Sequence, residues 1–247
     1  MSDSPADDRP SVLFIRHDPE ADPGHVGRRL GEHGYRIDEL TVITDHADPN
    51  PVVEFGDPGR WDLIVPLGCV WSVNDEDSIG NWIGAEVAFL ADAARHDIPV
   101  LGLCFGGQAL AAALGETVER TPTPEYGWHH IDSDKPEVVA PGPWMQWHQD
   151  RFAVPAGAIE LARTVSGPQA FVSGRSLGLQ FHPEVTTEIV TGWLDGAPPE
   201  ELAKPGVDAA AIRADTLANA ESAAGNCDQL VDWFLDTVAG LPTGTVR

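Results

Sequence analysis

A cysteine placed between a short apolar run and a helix of small residues is the feature that most constrains this sequence. Residues 98–103 read Ile-Pro-Val-Leu-Gly-Leu, and Cys-Phe-Gly-Gly-Gln follows at once at 104–108. A side chain at a sharp strand-to-helix turn needs glycines around it, because a Cβ would clash with the neighbouring backbone. The sequence therefore predicts that Cys104 stands at such a turn, at the carboxyl edge of a sheet, where open α/β folds bind ligands.

This predicted position would make Cys104 reactive. The partial positive charge at a helix N-terminus favours the thiolate form of a thiol. The backbone N–H of Phe105 would also be free to hold an oxyanion. Taken alone, the turn equally fits a buried structural cysteine.

A histidine and a glutamate supply what a nucleophilic cysteine requires. The segment Gln-Phe-His-Pro-Glu at 180–184 directly follows a predicted strand. His182 titrates in the range needed for a general base that later serves as an acid. Glu184 can orient the imidazole as the third member of a triad. Together with the cysteine turn about 80 residues upstream, this segment indicates a Cys-His-Glu site.

The first half of the chain alternates apolar runs with helix-like stretches, which is typical of βα units and a mostly parallel sheet. The predicted strands are 11–16, 35–44, 62–66 and 98–103, and the predicted helices are 25–33, 79–96 and 106–114. The fold class is therefore α/β, an open and mostly parallel sheet flanked by helices.

The second half predicts antiparallel additions separated by turns rich in proline and glycine. The predicted strands are 128–131, 138–139, 159–165, 170–173 and 176–180, and the predicted helices are 186–194, 207–224 and 228–238. Neither half contains a repeat or a low-complexity linker, so a single α/β domain is expected after a flexible N-terminus at 1–10.

Composition excludes several functions. The chain has 39 acidic and 15 basic residues, a net charge of −24, which disfavours binding to nucleic acid. No stretch approaches the roughly 18 apolar residues of a membrane helix, and the acidic N-terminus is unlike a signal peptide. Three cysteines cannot build a disulfide framework, so a cytoplasmic location is expected. No phosphate-binding glycine motif occurs, and no cofactor or metal is expected.

The ordered motifs GLCFGGQ and QFHPE resemble those of the class I, or triad-type, glutamine amidotransferase family. Pro-Glu-Tyr-Gly-Trp at 124–128 is similar to a motif of its stand-alone, guanylate-synthetase-like branch. The resemblance covers residues 11–195 and implies the flavodoxin-like fold of that family. Residues 196–247 would then add helices packed on the same domain.

The resemblance also implies residue roles. Cys104 would attack the side-chain amide of glutamine, release ammonia and carry a glutamyl thioester that water hydrolyses. His182 would be the general base and acid, and Glu184 the orienting carboxylate. The remaining implied roles are backbone oxyanion donors at Gly68 and Phe105 and substrate contacts at Gln108 and His148. The expected partners are glutamine or a γ-glutamyl compound and a separate synthase subunit.

One departure from the family pattern keeps alternatives open. Family members carry a Gly-Gly pair after the third strand, whereas this chain has Gly68-Cys69. A residue other than glycine keeps its N–H, so the oxyanion site survives if the local backbone avoids positive φ. The alternatives are a catalytically weak regulatory or scaffolding subunit of a synthase and a γ-glutamyl amine hydrolase. The stretch 71–77 is acidic and expected beside the site, and it favours the hydrolase because an acidic rim would attract a cationic leaving amine. A DJ-1/PfpI-like cysteine protein is disfavoured, because that group lacks the His-Pro-Glu segment.

Other polar and aromatic residues are interpreted as structural or as bordering the site. His17 follows the first strand and is expected in a solvated loop rather than at the rim of the site. His129 and His130 would point to opposite faces of a strand and therefore not share a metal. Cys69 and Cys227 are expected to be packing residues. Trp144 and Trp147 flank the proposed substrate segment and are expected to wall the pocket or to pack in the core.

Overall fold

The computed structural model describes residues 8–244. Its first half consists of βα units: β1 (Ser11–Arg16), α1 (Gly24–Glu32), β2 (Arg36–Thr41), a 3-10 turn (Pro58–Arg60), β3 (Leu63–Pro66), α2 (Glu76–Ile79), α3 (Ile83–Arg95), β4 (Leu101–Leu103) and α4 (Phe105–Ala113). The second half contains β5 (Val118–His129), β6 (Asp132–Ser133), β7 (Trp144–Phe152), β8 (Ile159–Thr164), β9 (Gly167–Ser173), β10 (Ser176–Leu179), α5 (Thr187–Gly196), α6 (Pro199–Leu202) and α7 (Ala209–Trp233), which continues as a π-helix over Phe234–Ala239.

The main sheet is parallel on one side and antiparallel on the other. One part has the order β2-β1-β3 and the other β4-β10-β9-β8-β6, and a parallel bridge between Ile64 and Val100 joins them. β10 runs parallel to β4 but antiparallel to β9, so the antiparallel strands extend the sheet beyond β10. β5 and β7 form a separate antiparallel ribbon. The predicted α/β class is confirmed.

The central strand β1 shows why this sheet is buried on both faces. Successive side chains of a strand point to opposite faces. Val12 and Phe14 pack in the core that includes α1 and α7, whereas Leu13 and Ile15 pack in the core that includes α3 and α4. An uninterrupted apolar run is therefore what this position in the sheet requires.

The predicted helix at 79–96 begins too early, because Ile79 is the last residue of α2 and α3 starts only at Ile83, after a break at residues 80–82. The Asn81 N–H and side-chain amide both bond to Asn50, and the Trp82 indole N–H bonds to the carbonyl of Pro49. These tethers to a distant loop replace helical hydrogen bonds at the break. Tertiary contacts thus interrupt a pattern that looks continuous in the sequence.

The two helices predicted at 207–224 and 228–238 form one continuous helix, α7 with its π-helical end. Gly225, which falls in the predicted gap between them, lies inside α7 with open space where a Cβ would be. Glycine in a helix costs only about 1 kcal/mol relative to alanine, which the packing of α7 can offset. α7 lies against α1, where Arg29 donates to Asp232 at 2.8 Å and Arg28 pairs with Asp228.

Two strand predictions in the second half are also wrong. Residues 138–139 form a turn closed onto the carbonyl of Lys135, not a strand. The predicted strand at 128–131 overlaps only the end of β5, and β7 was not predicted at all. Every second residue of β7 from Gln146 to Asp150 is polar yet buried, so the strand lacks the apolar alternation that marks one in sequence.

The first residues that the structure describes lie beside β2. Of the predicted flexible terminus at 1–10, residues 1–7 lie outside the described residues, and Pro10 accepts a hydrogen bond from the Arg36 N–H. Within residues 8–244, no helix is both long and apolar enough to cross a bilayer.

The packing of α4 on β10 predicts a stability difference between two glycines. A Cβ on Gly107 would lie 2.3 Å from the carbonyl oxygen of Leu179. Gly107→Ala should therefore lower the free energy of unfolding by about 1–3 kcal/mol, as overpacked sites do. Gly225→Ala is the matched control and should raise it by up to about 1 kcal/mol. Denaturant unfolding measures both; equal shifts of the two variants would contradict this close packing.

Candidate active site

Cys104 stands on a strained turn between β4 and α4. Its backbone has φ 51° and ψ −106°, an unusual conformation for a residue with a side chain. A Cβ on Gly102 would lie 2.5 Å from the carbonyl oxygen of Gly106, and one on Gly106 would lie 2.0 Å from that of Pro66. The predicted glycine-dependent turn is therefore present, and the Cys104 N–H bonds to the carbonyl of Leu179 at 2.9 Å.

His182 and Glu184 form a buried pair just beyond β10. The His182 Nδ1 lies 2.7 Å from Glu184 Oε1, and both side chains are at most 5% exposed. The backbone N–H of His182 bonds to the carbonyl of Met145, which fixes the segment to β7. Glu184 is the partner of the His182 Nδ1. The other ring nitrogen, Nε2, is buried and has no hydrogen-bond partner within residues 8–244.

The electrostatics of this pair favour a protonated imidazole. Burial alone lowers the pKa of His182, but the negative charge on Cys104 and on Glu184 outweighs it and raises that pKa to about 10. With this pKa, His182 is protonated at neutral pH and lies between Cys104 and Glu184. A thiolate–imidazolium pair is chemically suited to attack a carbonyl carbon and then protonate a leaving group.

Gln180 is a site residue to which the sequence analysis gave no role. Its Nε2 lies 3.7 Å from the Cys104 Sγ, and its Oε1 accepts a hydrogen bond of 3.2 Å from Gln108. The Gln108 amide also reaches the carbonyl of Asp150 at 3.3 Å. Its place in the sequence was a usable signal, because Gln180 begins the Gln-Phe-His-Pro-Glu segment that also contains His182 and Glu184.

His148 belongs to a buried polar network beside the site. Its Nδ1 donates to the carbonyl of Asp150 at 2.9 Å, and its Nε2 lies 3.1 Å from Glu125 Oε2. Glu125 also accepts from the Gln169 amide, which continues the network beneath β7. Both ring nitrogens of His148 are thus held within the protein. Its neighbour Trp147 approaches Cys104 instead, with a carbonyl oxygen 4.0 Å from the Sγ.

The Gly68–Cys69 loop lies beside His182. A Cβ on Gly68 would be 3.0 Å from the His182 Cε1. Cys69 is not among the residues with positive φ, so a side chain at this position causes no backbone strain. In the described part of the chain, the N–H groups of Gly68 and Cys69 donate no hydrogen bond. Phe105 begins α4, and the N–H of a first helical residue has no partner within its helix.

The other two cysteines are poorly suited to act as nucleophiles. Burial raises the pKa of the Cys69 thiol and of the Cys227 thiol well above the usual value. Cys227 is fully buried in α7 among apolar side chains, as expected for a packing residue.

Other predictions have mixed outcomes. His17 is fully buried against Glu86, so the solvated loop expected for it is wrong. Trp144 is stacked on Phe181 in the core, whereas Trp147 is half-buried and packs edge-on against Trp193, which also contacts the His182 ring. Among residues 8–244, no group of three or more His, Cys, Asp or Glu side chains is arranged to hold a metal ion.

The raised pKa of His182 predicts a measurable dependence on Cys104. Cys104→Ala removes one of the two negative partners, so the pKa of His182 should fall below its wild-type value. NMR titration of the histidine Cε1–H signals measures this shift, and Cys227→Ala is the control that should leave it unchanged. A pKa of His182 that is identical in all three proteins would contradict the thiolate–imidazolium pair.

Comparison with known proteins places the chain in a family. The sequence model described as glutamine amidotransferase class-I matches residues 63–190. The chain is 41% identical over 97 residues to GMP synthase (glutamine-hydrolyzing) of Parafrankia sp. (strain EAN1pec), covering 36% of this chain and 18% of that protein. It is 36% identical over 115 residues to the Aeropyrum pernix protein of the same name, covering 40% and 22%. The chain thus matches about a fifth of the length of these curated relatives.

Solved structures share the fold over nearly the whole chain. A glutamine amidotransferase from Thermotoga maritima superposes with a TM-score of 0.77 at 25% identity, covering 93% of this chain and 99% of that one. A glutamine amido transferase from Methylobacillus flagellatus gives the same TM-score at 24% identity, covering 93% and 95%, and supports the fold. The flavodoxin-like arrangement is thus confirmed, and the chain belongs to the class I glutamine amidotransferase family.

Proposed function

We propose that the chain hydrolyses the side-chain amide of glutamine through a glutamyl thioester on Cys104. The observation that carries this proposal is the strained turn that presents Cys104 beside His182, whose Nδ1 is occupied by Glu184 and whose Nε2 is free. Membership of the family supplies the reaction class. The roles of Cys104, His182 and Glu184 are proposed from this geometry together with the resemblance of their motifs to those of the family.

In the first half-reaction, the Cys104 thiolate attacks the Cδ of glutamine and forms a carbon–sulfur bond. The carbonyl electron pair moves onto oxygen, and the developing oxyanion is held by N–H groups of Phe105 and of the Gly68–Cys69 loop. His182 then gives its proton to the amide nitrogen. The carbon–nitrogen bond breaks, ammonia leaves, and the glutamyl group remains on sulfur as a thioester.

In the second half-reaction, water replaces ammonia. The neutral His182 takes a proton from water as the oxygen attacks the thioester carbon, and a second tetrahedral oxyanion forms at the same N–H groups. The carbon–sulfur bond breaks, glutamate leaves, and the thiolate–imidazolium pair is restored. Glu184 assists both halves by holding the ring so that Nε2 faces the reacting atoms.

We propose that Gln108 and His148 support binding of the glutamyl end of the substrate indirectly, by holding the protein groups around it. Gln108 fixes Gln180, and both Gln108 and His148 bond to the carbonyl of Asp150. Removing either side chain would release the strand that borders Cys104. The expected effect on glutamine is therefore a raised KM, since binding geometry rather than the reacting bond is disturbed.

The ammonia would be used by an amination reaction, since the relatives are named GMP synthase (glutamine-hydrolyzing). A separate synthase partner follows as a proposal from that likeness. Hydrolysis of γ-glutamyl amines stays a prediction, because among the described residues no hydrogen bond links the acidic stretch 71–77 to Cys104.

The proposed roles predict a graded loss of glutamine hydrolysis. Cys104→Ala should abolish it, and His182→Ala should lower kcat by about 10⁴-fold or more, because members of a cooperating site each carry most of its effect. Glu184→Gln should lower kcat less than either of these changes, since the amide oxygen still accepts a hydrogen bond from the His182 Nδ1. Release of glutamate and ammonia from purified, folded variants measures all three.

The control for this series is Cys227→Ala, a buried cysteine in α7 that should keep wild-type turnover. Hydrolysis by Cys104→Ala would refute the thioester. A folded Glu184→Gln protein as inactive as Cys104→Ala would refute the purely orienting role of Glu184.

A further inference from the structure

A second histidine–glutamate pair lies behind the Gly68–Cys69 loop and has no part in the reaction described so far. His17 directly follows β1, Glu86 lies in the first turn of α3, and both side chains are completely buried. The His17 Nε2 is 2.9 Å from Glu86 Oε1 and 3.0 Å from Oε2. A buried ion pair is weak evidence for stability by itself, so its position in the fold is the more informative property.

His17 contacts the Gly68 carbonyl and the Phe105 ring, which belong to the two segments proposed to hold the oxyanion. Its Nδ1 lies 3.1 Å from the carbonyl oxygen of Gly68. The edge of its ring packs on Phe105 with 4.7 Å between centroids, and its face is stacked on Trp82 at 5.6 Å. The ring is therefore fixed on three sides and presents one nitrogen to the loop.

The contact with the Gly68 carbonyl determines where the next N–H points. A peptide unit is planar and trans, so the Gly68 C=O and the Cys69 N–H point in opposite directions. With the carbonyl turned back onto His17, the Cys69 N–H is directed to the opposite side of the loop. That N–H makes no hydrogen bond within residues 8–244, and the Cα of Gly68 borders the His182 ring.

We propose that His17, held by Glu86, is a positioning residue that fixes the Gly68–Cys69 peptide so that the Cys69 N–H receives the oxyanion. This inference rests on the proposed function and names the donor in the loop. It also accounts for the cysteine in place of the second glycine, since the orientation of this peptide is set by His17 rather than by a conformation that only glycine adopts.

The charge of the pair supports this arrangement. Burial lowers the pKa of His17, but Glu86 and the Gly68 carbonyl, with a smaller contribution from Asp18, raise it above the usual value. A carbonyl oxygen can only accept, so Nδ1 carries a hydrogen and donates it. A ring N–H donated to this carbonyl also polarises the peptide and strengthens the Cys69 N–H as a donor.

The test distinguishes the hydrogen bond of the His17 Nδ1 to Gly68 from the interaction of its Nε2 with Glu86. Replacing His17 alone would leave the buried Glu86 carboxylate unpaired, so both His17 variants are made together with Glu86→Gln. His17→Asn places an amide N–H near the position of Nδ1 and can still donate to Gly68. His17→Gln reaches toward residue 86 and leaves the Gly68 carbonyl without its donor.

The expected result is a split between the two double variants. His17→Asn/Glu86→Gln should stay close to the Glu86→Gln reference. His17→Gln/Glu86→Gln should lose about 10²-fold in kcat with KM unchanged, because an oxyanion donor acts in the transition state and not on bound glutamine. Affinity for glutamate γ-semialdehyde, whose carbonyl forms a tetrahedral adduct with the thiol, should fall by the same factor.

A matched control exists elsewhere in the chain. His33 has the same pattern, with Nε2 2.7 Å from Asp232 and Nδ1 3.3 Å from the carbonyl of Gly244, but it lies between α1 and the C-terminal segment. His33→Gln should lower the melting temperature and leave kcat unchanged. If His17→Gln/Glu86→Gln does not fold, the single variant His17→Gln replaces it, since its amide can donate to Glu86. It also leaves the Gly68 carbonyl without a donor, so the same loss of kcat is expected relative to the wild-type protein.

The outcomes distinguish this inference from the proposed function. Hydrolysis by Cys104→Ala would refute the proposed function itself. With Cys104→Ala inactive, equal kcat in the two double variants, or a rise in KM instead of a fall in kcat, would overturn the role of His17 alone.

Discussion

The close approach of β3, β4 and β10 to the first turn of α4 is the constraint on which the site depends. Cys104 adopts a positive φ because its N–H is bound to β10 and the N–H of Gly106 is bound to Leu67 beyond β3. Residues 102, 106 and 107 are glycines because backbone atoms occupy the space that a Cβ would need at each position. The strain at one residue is thus held by a packed core, and it presents a sulfur at the edge of the sheet.

The same edge of the sheet gathers an unusual number of buried polar side chains. Gln180 reaches the Cys104 sulfur and is itself bound by Gln108, while His148 and Glu125 order the strand that passes beside it. Buried polar groups are costly unless they are hydrogen-bonded, so such a network holds its members in one arrangement. Two of the buried atoms without partners, His182 Nε2 and Glu184 Oε2, belong to the proposed triad, where a substrate or water would supply the missing contacts.

The sequence was sufficient to predict the parallel half of the sheet and the cysteine turn, because their signals are local. Apolar runs mark strands buried on both faces, and Gly102, Gly106 and Gly107 mark the turn. β7 could not be predicted in the same way, since its buried face carries Gln146, His148 and Asp150 rather than apolar residues. His17 was misplaced for a related reason: nothing local shows that Glu86, 69 residues away, is buried beside it.

A partition experiment tests the central claim, the covalent glutamyl intermediate, most directly. Hydroxylamine competes with water for a thioester and converts it to γ-glutamyl hydroxamate. Because glutamine and a γ-glutamyl alkylamide would form the same thioester on Cys104, the ratio of hydroxamate to glutamate should be identical from both substrates at one hydroxylamine concentration. A ratio that depends on the leaving group, or turnover of glutamine with no hydroxamate, would contradict the thioester and indicate direct attack of water on the amide.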